Sequence, residues 1–112
     1  MTTTLSQYLL AALDRHQIPA GQSGDSGGSF VYVHTPTAVI TISGDRADGS
    51  DATVDHAIED HASFLADHRD RETGEYKVIY DSQGGIHTLQ EDTEALIAAV
   101  REHLPPRPQA GV

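Results

Sequence analysis

The sequence predicts an α+β fold with the element order α-β-β-α-β-β-α, a mainly antiparallel sheet and helices packed against it. Three observations carry that prediction. Apolar residues recur at helical spacing in three segments. Apolar and polar residues alternate around two turn signals. The predicted strands then cluster in hairpins instead of alternating one by one with helices, which favours an antiparallel sheet.

Leu5, Leu9, Ala12, Leu13 and His16 define the first helix, over residues 4–16, with Thr4 as N-cap. Proline clashes with a continuing turn and lacks a donor, so Ile18-Pro19-Ala20-Gly21 stops it. Residues 21–28, with four glycines in eight positions, read as a flexible loop. Strands follow at 29–35 and 37–43, joined by a Thr35-Pro36-Thr37 turn. The ladder Phe30, Tyr32 and His34 lies on one face of the first of these and Val31 and Val33 on the other. Covering the aromatic ladder with helices is the simpler arrangement, since sheet interiors take large residues.

An acidic loop fills 44–53, and Thr53 then caps a second helix over roughly 54–70. Val54, Ile58, His61, Leu65 and His68 make its apolar stripe. Two histidines on such a stripe would make a helical dimer face sensitive to pH, because protonation charges a desolvated ring. A third strand is expected at 76–81, a Ser82-Gln83-Gly84-Gly85 turn next, and a short fourth strand at 86–89. Leu96, Ile97, Val100 and Leu104 mark the last helix, about 90–104, and the capping-box spacing of Thr88 and Glu91 allows a start at Leu89. Residues 1–104 form one domain, and 105–112, after Pro105 and Pro106, a disordered tail.

Composition narrows the function. With 112 residues and no cysteine, disulfides, thiol catalysis and cysteine-ligated zinc are excluded. There is no basic-then-apolar leader and no apolar run of membrane-spanning length, so a cytoplasmic protein without membrane contact is expected. The formal net charge is −10, and residues 45–75 alone hold ten acids against three arginines. A chain so charged repels phosphate backbones, which excludes direct nucleic-acid binding, and attracts basic proteins. The same charge also fits simple adaptation to a host that avoids lysine, since one lysine stands beside six arginines.

Motifs of catalysis are missing: the sequence has no G-x-S-x-G elbow, no phosphate loop and no H-E-x-x-H. Asp45, Asp48 and Asp51 with Gly49 have the wrong spacing for a calcium loop, and His56 stands where the twelfth-position glutamate belongs. His56 and Asp60 could share a helix face toward a divalent metal, but two ligands do not make a zinc site. No cofactor is therefore expected. In element order, size and acidity the chain is similar to type III secretion chaperones. That resemblance implies a dimer that binds an extended client segment.

The expected function is thus a non-enzymatic acidic module that engages a basic protein partner, as an inhibitor, immunity protein, mimic or chaperone would. Its partner-binding residues are expected to be Asp45, Asp48, Asp51, Asp55, Glu59, Asp60, Asp67 and Asp70, with Phe30 and Tyr32 as apolar anchors. A homodimer is expected because so short a chain buries a modest core. Two alternatives remain: a homodimeric structural or ligand-binding protein whose acidity is host adaptation, and a metal-dependent enzyme using His56 and Asp60.

Overall fold

The structure is a computed structural model that describes residues 3–25, 28–46, 54, 57–82 and 88–104. Its order is α1 (Leu5–Arg15), β1 (Gly21–Asp25), β2 (Gly28–His34), β3 (Ala38–Arg46), a short 3₁₀ turn (Ile58–Asp60), β4 (His61–Asp70), β5 (Tyr76–Asp81) and α2 (Leu89–Glu102). The five strands form one antiparallel meander in the order β1-β2-β3-β4-β5. No helix among the described residues is long and apolar enough to cross a membrane.

This corrects the expected order in two places. The segment read as a helix over 54–70 is the 3₁₀ turn followed by β4. The segment read as a flexible loop at 21–28 contains β1, which pairs along β2. The true order is α-β-β-β-β-β-α, so the layout shared with the secretion chaperones is lost. Sheet pairing explains the first difference. Segment 61–70 is flanked by β3 and β5 and zips to β3 through nine residue pairs, from Ala38↔Asp70 to Arg46↔His61. Cross-strand burial on that scale overrides the helix preference of Ala62, Leu65 and Ala66. Of the fourth strand expected at 86–89, residues 86 and 87 lie outside the described residues and Leu89 opens α2. The tail from 105 onward also lies outside them.

Local chemistry places the remaining elements. Both helices start on a capping box. Thr4 accepts from the Gln7 amide while the Gln7 side chain returns to Thr4, and Thr88 and Glu91 repeat the arrangement. At the end of α1, Gln17 adopts φ 61°, the Ile18 amide donates to the Leu13 carbonyl at 2.9 Å and the Gln17 amide donates to the Asp14 carbonyl at 2.9 Å. This is a Schellman closure, and Ile18 is buried beside it. Between β2 and β3, the Thr35 hydroxyl accepts from the Ala38 amide at 2.8 Å, fixing the hairpin.

Both helices lie on one face of the sheet. Val31, Val33, Ile40, Ile42, Phe64 and Ala66 point inward from the strands to meet Leu5, Leu9, Leu13, Leu96 and Val100. The Phe64 position faces Gly44 across the ladder. A Cβ at Gly44 would collide with the Leu5 side chain, so glycine here lets α1 approach the sheet.

Candidate functional site

Two arrangements of side chains stand out: the sheet face turned away from the helices, and a polar cluster buried under α2.

Register fixes the members of the uncovered face. Opposed residues share a face. One row therefore runs Tyr32, Thr41, Asp67 and Val78, and the next runs His34, Val39, Arg69 and Tyr76. Tyr32, Val39, Thr41, Asp67, Arg69 and Tyr76 line a shallow concavity of about 580 Å³. Tyr76 is 68% exposed and Val78 53% exposed, the two large apolar side chains left open among the described residues. None of the described helices or strands covers this face. Asp67 is half-buried and Arg69 exposed, and among the described residues neither side chain has a hydrogen bond or ion pair.

The buried cluster centres on Asp92, in the first turn of α2 and 1% exposed. Three donors converge on its carboxyl group. Tyr80 Oη donates to Oδ1 at 2.5 Å, Ser82 Oγ donates to Oδ2 at 3.0 Å, and His61 Nε2 lies 2.8 Å from Oδ2. Ser82 Oγ in turn accepts from the Phe64 amide at 2.8 Å. The cluster ties α2 to β4 and β5. It is not a nucleophile with its base, because the Ser82 proton is directed to Asp92 and not to the imidazole. Burial first, then the hydrogen bond to Asp92 and its charge, push the Tyr80 phenol up to about 12 from 10.0.

That shift has a sign. The phenol is harder to ionise in the folded chain, so its contribution to stability is complete below pH 10 and is lost as pH rises toward about 12. Urea midpoints are therefore expected to hold level up to pH 9.5 and to fall between about pH 10 and 12. Tyr80→Phe should remove this alkaline step; an unchanged step in the variant would contradict the assignment.

The expected site residues are scattered by the fold. Asp48, Asp51, Asp55 and the metal candidate His56 lie outside the described residues. Asp45 and Asp60 are placed by their backbone alone, Asp45 opposite Ser63 in the ladder and Asp60 at the end of the 3₁₀ turn. Glu59 is exposed in that turn. Asp70 is a turn cap: its carboxylate accepts from the Thr73 and Glu72 amides, which hold it below the usual carboxylate range. Asp67 lies on the uncovered face. The Phe30-Tyr32-His34 ladder is there too, not beneath the helices, with Phe30 and Tyr32 half-buried and His34 exposed. His61 and His68 are not on a helical dimer stripe: His61 joins the Asp92 cluster, and the His68 ring packs at a tilt against His103 with centroids 5.3 Å apart. Among the described residues no group of three acids or histidines is placed to hold a metal.

Sequence reasoning missed Asp92, Tyr80 and Ser82. A signal was present, because Asp92 precedes Leu96 by four residues and Val100 by eight and so falls on the apolar stripe of α2. Tyr76, Val78 and Arg69 were also missed, because a helix at 54–70 leaves β4 and its two faces without a place. No protein-family model, no curated protein and no solved structure matches the chain.

Proposed function

We propose that the chain is a non-enzymatic acidic module that engages a basic protein partner, of the inhibitor, immunity, mimic or chaperone kind. The observation that supports this reading is how the described acids stand. Glu59, Glu72, Glu75, Glu94 and Glu102 are exposed, and among the described residues none forms an ion pair. Their field acts outward, where it draws cations and speeds their encounter. The chain's surplus of ten negative charges raises that field over the whole molecule. Lys and Arg side chains of the partner would meet these carboxylates, while apolar anchors hold the complex together. Phe30, half-buried on β2, is suited to that role, and Tyr32 stands two residues further along the same face of the strand.

A second reading has its own support. The open face with Tyr76 and Val78 favours a homodimer whose acidity is host adaptation. The test immobilises the tagged chain and recovers bound proteins at low and at high salt. Under the first reading one basic protein is retained at low salt, released at high salt, and lost when Glu59, Glu72 and Glu75 are changed together to glutamine. Recovery of the chain alone under every condition would leave only the second reading.

A further inference from the structure

We infer that the uncovered sheet face is a self-association surface, occupied by a second copy of this chain packed face to face about a two-fold axis. The inference rests on the second reading above, the homodimer, and assigns the surface through which the two copies meet.

Asp67 and Arg69 sit two residues apart on the same face of β4, and neither has a partner among the described residues. Whatever covers this face must bring a cation to Asp67 and an anion to Arg69, because a charge removed from water without a partner is costly. It must bring them at the spacing of one strand repeat. A second copy carries that pair at that spacing by construction. In a two-fold contact, if residue i meets j then j meets i.

Geometry completes the match. A two-fold axis between the two sheets, perpendicular to β4 and level with residue 68, exchanges positions 67 and 69. The row Tyr32-Thr41-Asp67-Val78 of one copy then faces the row His34-Val39-Arg69-Tyr76 of the other. Asp67 meets Arg69, exposed Val78 meets exposed Tyr76, and Tyr32 meets His34. Each apolar or charged group in the two rows finds its complement, and the aromatic side chains Tyr32 and Tyr76, of a type enriched in interfaces, stand at the ends of the rows around the charged pair.

Net charge points to the same patch. The chain carries −10 overall, so two copies repel over most of their surface. The concavity holds one acid and one arginine and is neutral as a whole. Tyr32 is then directed to the second copy.

Sedimentation equilibrium of the purified full chain tests this, with circular dichroism melts to confirm folding of each variant. The wild type is expected to be a dimer at micromolar concentration that salt does not weaken. Arg69→Asp should loosen it about a hundredfold, since every dimer contains the substitution twice. The exchange Asp67→Arg with Arg69→Asp should restore it, because the swapped charges are complementary again in a two-fold contact. A monomeric wild type, a dimer indifferent to Arg69→Asp, or a folded exchange variant that stays monomeric would each overturn the inference. A monomer that still retains a basic protein at low salt would overturn the dimer alone. A dimer that retains no protein at any salt would support this inference and remove the basic partner.

Discussion

Asp92→Ala is expected to lower the free energy of unfolding by about 3–5 kcal/mol, the range for removing one member of a buried charged or polar pair. The carboxyl group is at the meeting point of three elements and accepts from Tyr80, Ser82 and His61. Alanine would leave these donors facing a void, and a buried polar group without a partner costs more than its hydrogen bond contributes. It would also remove an acid from the first turn of α2, where the helix dipole favours negative charge. A chain of this size has only about 5–15 kcal/mol of stability in total, so the loss is a large fraction. Urea unfolding followed by far-ultraviolet circular dichroism at pH 7 measures it. Tyr80→Phe, which removes a single donor, should cost about 1 kcal/mol. If Asp92→Ala costs no more than Tyr80→Phe, the cluster does not hold α2 to the sheet.

The parts of this fold that could be read from sequence are those set by local chemistry. Thr4 with Gln7, and Thr88 with Glu91, announce both helix starts within four residues, because a cap is a contact between near neighbours. Thr35-Pro36-Thr37 likewise announces its hairpin. The errors lie where the deciding contacts are distant in the chain. Residues 61–70 fit a helical stripe at Ile58, His61, Leu65 and His68, and fit a strand at Phe64, Ala66 and His68 just as well. The choice is made by β3, some 25 residues earlier and outside a local window, with β5 adding the other edge across the short turn that follows β4. β1 was hidden for a related reason: a sequence of Gly, Gln and Ser pairs along β2 through its backbone and offers no apolar alternation. The candidate site inherited these errors. Tyr32 and Asp67 could be named from sequence, but that they share one row of one face, beside Arg69 and Tyr76, follows from register alone.

A pair of neighbouring substitutions separates the two readings of β4. In a helix over 54–70, Leu65 lies on the buried stripe and Phe64 beside it. In the strand the order reverses: Phe64 is fully buried in the core between the sheet and the helices, and Leu65 is half-buried on the uncovered face. Phe64→Ala is therefore expected to cost about 3–5 kcal/mol, the transfer free energy of the ring plus the cavity it leaves. Leu65→Ala should cost about 1 kcal/mol or less in the monomer, because its side chain is already partly in water. The measurement is urea unfolding of both variants at a concentration low enough to exclude self-association, since Leu65 stands on the face assigned to a second copy. Equal costs, or a larger one at Leu65, would return the segment to a helix and dissolve the Asp67–Arg69 surface with it. The expected asymmetry would fix the parity of β4. Once that parity is fixed, Asp67 and Arg69 must emerge together on the side away from the helices, because residues two apart in a strand share a face.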